Sequence, residues 1–129
     1  MRLLTREYYN GGKWTQSRFN SFIKSALRTA SVRWEPRYTA LNNAFVDRRV
    51  NQKTGKMAKH FECANCHGLF PQKEVEVNHK EPVVPLTGLT SWDEVIDRMF
   101  CEIDGLEVLC KVCHKAHTQL ENQERKKYK

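Results

Sequence analysis

The sequence predicts an α+β fold, and three observations carry that prediction. Two Cys-x-x-Cys pairs stand in the second half of the chain, separated by 43 residues. Apolar residues recur at helical spacing in several segments, and short segments near the cysteine pairs alternate apolar and polar residues as strands do. A chain of 129 residues is long enough for one compact domain with an arm, which excludes two large independent domains.

The first half of the chain is predicted to be helical. Over residues 14–30 the apolar positions follow the spacing i, i+3, i+4, i+7, i+8, i+11, which places them on one helix face: Phe19, Phe22, Ile23, Ala26, Leu27 and Ala30. Glu35-Pro36 interrupts this helix because the residue before a proline disfavours helical geometry. We expect a second helix from about Pro36 to Arg49, and a polar, basic loop over residues 50–59.

Shorter elements are predicted in the second half. Residues 75–78 alternate with period two and indicate a strand, and residues 106–109 indicate another. A capping pattern that begins at Ser91 introduces an amphipathic helix, and a last helix runs from Cys113 to about Lys126. We therefore divide the chain into a basic helical extension, residues 1–59, and a core, residues 60–129, that ends in a basic tail.

Positive charge is concentrated in the first half. Residues 1–60 contain 13 Lys and Arg against 3 Asp and Glu, whereas residues 61–129 contain 9 against 12. Such a surface can simply be solvated, but nucleic acid is the commonest reason for the concentration. The candidate phosphate contacts are Arg18, Lys24, Arg28, Arg48, Arg49, Lys53 and Lys56.

The sequence offers nothing that favours a membrane. Its longest unbroken apolar stretches span only a few residues, far fewer than the roughly 20 that cross a bilayer. The N-terminal residues, MRLLTREYYNGG, are too polar for a secretory signal. We therefore expect a soluble cytoplasmic protein.

Four of the five cysteines indicate a metal site. Cys63 and Cys66 form one pair, Cys110 and Cys113 the other, and four thiolates on two tight turns supply a closed tetrahedral shell for one structural Zn²⁺. The alternative is a pair of redox or structural disulfides. For the remaining cysteine, Cys101, we predict the role of a small buried hydrophobe.

The segments around the cysteine pairs carry a family resemblance. They are VNH at 77–79, DGLEVLC at 104–110 and CKVCHKAHT at 110–118. With the two Cys-x-x-Cys pairs, they resemble the HNH endonucleases, or ββα-metal nucleases, in the subset with a four-cysteine zinc site. The resemblance spans about residues 60–120 and looks most like the small stand-alone HNH proteins of bacteriophages. It implies a ββα-metal core stapled by the zinc site. Independently of the resemblance, a zinc that ties the two cysteine pairs together should make strands 75–78 and 106–109 neighbours, with the last helix across them and His79 and His114 facing one another.

The resemblance also implies roles for individual residues. His79 would be the general base, and Asn78 and His114 would hold one catalytic divalent cation, namely Mn²⁺, Co²⁺, Ni²⁺ or Mg²⁺. His117 would be a further ligand of that cation or a phosphate contact. Two positions depart from the family pattern: Asn78 stands where Asp is common, and Gly105 stands where the middle Asn of the motif falls. Asp104 is then a candidate to brace the loop that carries His79.

These roles lead to a functional expectation. The resemblance implies a metal-dependent endonuclease that nicks or cleaves double-stranded DNA, working in the host cytoplasm if phage-encoded. The alternative is a zinc-stabilised nucleic-acid-binding module with a degenerate HNH site, acting with phage packaging proteins or in a regulatory assembly. A third class, a zinc-bridged protein adaptor, accounts for the cysteines but not for the basic first half.

Overall fold

The computed structural model describes residues 7–128 and has the predicted α+β composition. Residues 1–6, which begin the segment predicted not to be a secretory signal, lie outside this description. The described elements are α1 Gln16–Ser31, α2 Glu35–Asn43, β1 Phe45–Val50, β2 Met57–Glu62, β3 Leu69–Pro71, β4 Val75–His79, α3 Trp92–Met99, β5 Leu106–Cys110 and α4 Lys111–Lys126. Within residues 7–128, no helix combines the length and apolar character that a membrane crossing requires.

The two amphipathic helices predicted from local signals are present. Helix α1 begins after Thr15, whose hydroxyl accepts a hydrogen bond from the Arg18 backbone N–H at 3.1 Å. Helix α3 begins after Ser91, which accepts from the Glu94 N–H at 3.2 Å. The two helices pack together, because Ile23 and Leu27 of α1 lie against the buried cluster that α3 contributes to.

The structure of residues 45–62 shows that the predicted extension of the second helix to Arg49 and the predicted loop over residues 50–59 were wrong. Helix α2 ends at Asn43, and β1 and β2 form an antiparallel hairpin instead. Phe45 packs edge-on against Phe61 at 6.0 Å between ring centroids, and the turn closes through an Asn51 N–H to Lys56 O bond of 2.7 Å. Residues of β1 pair with residues 7 to 16 positions further along the chain, from Val50 with Met57 to Phe45 with Phe61. This pairing stabilises the strand against the local helical periodicity.

The two predicted parts of the chain share one core. Strands β1, β2 and β3 form one antiparallel sheet, and β4 and β5 form a second, two-stranded one. Buried Phe61 of β2 packs with Val75 and Val108 from the second sheet, and Leu41 of α2 covers this cluster. The division at residue 59 therefore falls inside β2, and the basic extension is helical only as far as Asn43.

Candidate metal centre and histidine site

The four paired cysteines are positioned to hold one metal ion. The sulfurs of Cys63, Cys66, Cys110 and Cys113 all lie within 4.8 Å of one another, and Cys66 Sγ is 4.0 Å from Cys110 Sγ. Tetrahedral zinc with thiolate ligands separates its sulfurs by about 3.8 Å. All five cysteines are free thiols, so the disulfide alternative is not seen.

Two tight turns bring these sulfurs together. Cys63 follows β2, and Cys110 ends β5 at the start of α4. In each pair the second cysteine donates its backbone N–H to the sulfur of the first, at 3.5 Å for both Cys66 to Cys63 and Cys113 to Cys110. Burial opposes ionisation of the Cys63 thiol, but surrounding backbone N–H groups outweigh it and lower the pKa to about 6. This favours the thiolate, the metal-binding form, at Cys63, whereas burial raises the pKa of Cys110 to about 12 in the metal-free protein.

Strands β4 and β5 form a ribbon with two distinct faces. Asn78 pairs with Glu107 across the ribbon and donates its side-chain Nδ2–H to Glu107 Oε1 at 3.2 Å. Alternation places Glu76 on the same face as Asn78. Helix α4 lies on this face, because His114 Nδ1 is 2.6 Å from Glu76 Oε2.

The opposite face of the ribbon carries His79 and is mostly apolar. His79 shares this face with Val75 and Val77, by the same alternation. The expected face-to-face arrangement of His79 and His114 is therefore not observed. His114 of α4 instead lies against the face of β4 opposite to the one that carries His79, although His79 directly follows Asn78 at the end of the strand.

A backbone carbonyl orients the His79 ring. His79 Nε2 lies 2.9 Å from Met99 O at the end of α3. A carbonyl can only accept a hydrogen bond, so Nε2 carries the proton and Nδ1 keeps a lone pair in the neutral ring. Burial lowers the pKa of His79 below 6.5. The Met99 contact opposes this by raising the pKa, and the positive charges of Arg37 and Arg28 lower it further. His79 is thus an uncharged base at neutral pH.

The loop after His79 is held by backbone rather than by Asp104. The Lys80 N–H donates to Gly105 O at 2.9 Å, which ties the residue after His79 to the start of β5. Asp104 instead lines a cavity of about 520 Å³ together with Lys80, Glu81 and Asp97. The carbonyls of Met99 and Gly105 therefore hold His79 and its loop in place.

The three residues predicted to hold a catalytic cation lie beside three different carboxylates. Asn78 contacts Glu107 and His114 contacts Glu76. His117 Nε2 lies 3.2 Å from Glu121 Oε2 on α4 itself, but it is buried and makes no hydrogen bond. Within residues 7–128, the four cysteines form a group of three or more Cys, His, Asp or Glu side chains that lie close enough to share one metal ion, and the predicted cation ligands do not. Even so, Asn78 Oδ1 and His114 Nε2 each keep a lone pair, so these two residues have the donor chemistry of a cation site.

The seven predicted phosphate contacts fall into two groups. Arg18, Lys24 and Arg28 lie on α1, and the other four lie on the β1–β2 hairpin. Arg49 is held by Asp47 through two bonds of 2.7 and 2.8 Å, and Lys53 is held by Glu74 at 2.8 Å. A cavity of about 870 Å³ beside the hairpin is instead lined by four cations, Arg48, Lys56, Lys59 and Lys73.

Several residues of the site were not singled out in the sequence. Glu76 could have been found from strand alternation, since it shares a face of β4 with Asn78. Finding Glu107 requires the register of β4 with β5. The Met99 carbonyl and the charge of Arg37 near His79 have no sequence signal, because both depend on how α2 and α3 pack. Comparisons with protein-family models, curated proteins and solved structures found no match to this chain.

Proposed function

We propose that this protein is a metal-dependent, HNH-type endonuclease that hydrolyses phosphodiester bonds in DNA. The observation that carries the proposal is the oriented, uncharged imidazole of His79 at the end of β4, held through Nε2 by the Met99 carbonyl. The order of elements adds support. Strand β5, which pairs antiparallel with β4, leads directly into helix α4, and α4 brings His114 to the ribbon. The four cysteines cluster where β5 meets α4.

In this proposal His79 Nδ1 removes a proton from water. The resulting hydroxide attacks phosphorus, the bond to the 3′-oxygen breaks, and that oxygen leaves to be protonated by solvent. A base that is neutral at the working pH suits this step, because it begins the reaction able to accept a proton.

Asn78 and His114 would hold the catalytic cation, with His117 as a further ligand or phosphate contact. When bound, the cation supplies positive charge that stabilises the pentacovalent phosphorus and the leaving oxygen. The four cysteines would hold a separate structural zinc. Phosphates would meet the cations that line the cavity beside the hairpin, which include the predicted Arg48 and Lys56 and also Lys59.

Plasmid cleavage tests the proposal. Supercoiled DNA would be incubated with the zinc-loaded protein and Mg²⁺, Mn²⁺, Co²⁺ or Ni²⁺ in turn. Wild type should nick or linearise the plasmid, and His79→Ala should not, while keeping its zinc and its DNA affinity. His67→Ala is the matched control, since His67 is an exposed histidine of the zinc-site turn. Cleavage by His79→Ala at the wild-type rate would contradict the proposed base.

The alternative is a zinc-stabilised nucleic-acid-binding module with a degenerate HNH site, serving a phage packaging or regulatory assembly. Asn78 and Gly105 favour it, because Asn78 brings no charge to the cation site and Gly105 has no side chain to brace the loop that carries His79. This alternative predicts salt-dependent DNA binding by the zinc-loaded wild type and no cleavage with any of the four cations. Cleavage that depends on His79 excludes it.

A further inference from the structure

We propose that Glu76 is a positioning residue that fixes the ring of His114 and leaves His114 Nε2 as its ligand atom. This inference rests on the proposed function, because it concerns the same cation site. Its evidence is the contact between Glu76 Oε2 and His114 Nδ1, which at 2.6 Å is the shortest of the histidine–carboxylate contacts within residues 7–128.

The chemistry of the two groups determines the tautomer. An ionised carboxylate can only accept, so the Nδ1 atom of His114 must carry the proton in this contact. A neutral imidazole has one N–H, and its other nitrogen therefore holds a lone pair. Histidine ligands of metals commonly donate their second N–H to a carboxylate, which fixes the ring and makes the ligand atom more basic.

The other histidine–carboxylate contacts in the described part of the chain differ from this one. His67 and Glu62 form an exposed contact of 3.1 Å, with 70% and 48% of their side chains accessible. His117 meets Glu121 one turn further along the same helix, through Nε2. Glu76 and His114 come from different elements, β4 and α4, so their contact also fixes the helix against the ribbon.

Glu107 gives Asn78 the same kind of support. It accepts the Asn78 Nδ2–H at 3.2 Å, which orients the amide and leaves Oδ1 with its lone pairs. Asn78 brings no charge where the HNH pattern commonly has a carboxylate. Glu76 and Glu107 lie on the same face of the ribbon and carry the negative charge that Asn78 lacks.

The first test measures the tautomer of His114 directly. Long-range ¹H–¹⁵N spectra of the imidazoles would be recorded on the zinc-loaded full chain at pH 8. Wild type should show His114 with Nδ1 protonated, and Glu76→Gln should shift it toward the Nε2–H form. Glu62→Gln is the matched control, since it alters the His67 contact and should leave His114 unchanged. A wild-type His114 with Nε2 protonated would overturn the inference.

The second test measures cation binding without cleavage. Mn²⁺ would be titrated into zinc-loaded protein and followed by electron paramagnetic resonance, with zinc content and circular dichroism checked for each variant. Loss of a partner that orients a metal ligand typically costs 10–100-fold in affinity, and we expect a loss of about this size for Glu76→Gln. Equal Mn²⁺ affinity in wild type and Glu76→Gln would refute the positioning role. If wild type binds no Mn²⁺, the proposed function fails, and the tautomer alone decides whether Glu76 orients His114.

Discussion

Gly105 and Cys101 are packed so closely that a β-carbon at position 105 would lie 2.9 Å from the Cys101 sulfur and 3.2 Å from its β-carbon. Real β-carbons do not approach a neighbour at 2.9 Å, so any larger residue at 105 must displace Cys101. Gly105 also accepts the Lys80 N–H that holds the loop after His79. The HNH pattern has asparagine at this position. Here Cys101 leaves too little space at position 105 for a side chain larger than that of glycine.

We expect Gly105→Asn to destabilise the protein by about 1–3 kcal/mol, the usual cost of overpacking. Adding Cys101→Ala should recover part of that loss, because it removes the sulfur. Urea unfolding of the single and double variants measures both effects. Gly55→Asn is the control, since position 55 has a φ of 72° and open space around it, and asparagine tolerates such a conformation. Wild-type stability in Gly105→Asn would show that the site is not tightly packed.

The zinc assignment predicts one tightly bound zinc per chain. Cys63→Ser or Cys110→Ser should lose the metal and unfold, because structural zinc contributes on the order of 10 kcal/mol to folding. Cys101→Ser should retain the zinc, since Cys101 lies outside the four-sulfur group. Elemental analysis and circular dichroism check both statements. A folded wild-type chain without zinc would contradict them.

The lowered pKa of His79 predicts a specific pH dependence. His79 stays neutral to a pH below 6.5. As the pH is lowered, the cleavage rate should therefore begin to decrease only below that value. Unfolded His79 binds a proton more readily than folded His79. The stability that His79 contributes is therefore complete above about pH 6.5 and is lost as pH falls through the folded pKa. Urea unfolding of wild type and His79→Ala between pH 5 and 8 measures how much stability His79 contributes at each pH. A stability difference that does not change with pH would contradict this prediction.

The ion pairs of the hairpin divide its cations into two classes. Arg48→Ala should flatten the log–log salt dependence of duplex DNA binding by about 0.9, the effect of one phosphate contact. Arg49→Ala is a matched control on the same strand and should change the slope less, because Asp47 already binds that guanidinium. Fluorescence anisotropy across a salt series gives both slopes. Equal slopes for the two variants would show that the Asp47 pair does not persist on DNA. Truncation at residue 59 is no substitute, because it would cut β2.

Asn78 should bias the choice of catalytic cation. Mg²⁺ depends on anionic oxygen ligands, whereas imidazole suits Mn²⁺, Co²⁺ and Ni²⁺. We expect wild type to cleave poorly with Mg²⁺ and Asn78→Asp to improve its use. Asn78 lies directly opposite Glu107, so the new carboxylate should cost about 0.2–1 kcal/mol of stability without a cation. Asn78→Asp with Glu107→Gln removes that repulsion and serves as the control. An unchanged metal ranking would show that Asn78 does not ligate the cation.

The sequence by itself determined the features that depend on local signals. The Cys-x-x-Cys spacing identified the four-sulfur group, and the capping and helical periodicity located α1 and α3. Alternation located β4, and residues 106–109 were predicted as the strand β5, although neither pattern indicated how the two strands pair. These patterns are properties of adjacent residues, which is why they are visible without a fold.

Only the tertiary structure decided what depends on residues far apart in the chain. The β1–β2 hairpin replaced a predicted helix because β2 supplies a hydrogen-bonding partner, which helical periodicity does not detect. The Met99 carbonyl reaches His79 across 20 residues, and Glu76 reaches His114 across 38. The register of β4 with β5 placed Asn78 opposite Glu107. Hydrogen bonds and ion pairs require atoms within about 3 Å, and only packing brings such distant residues that close.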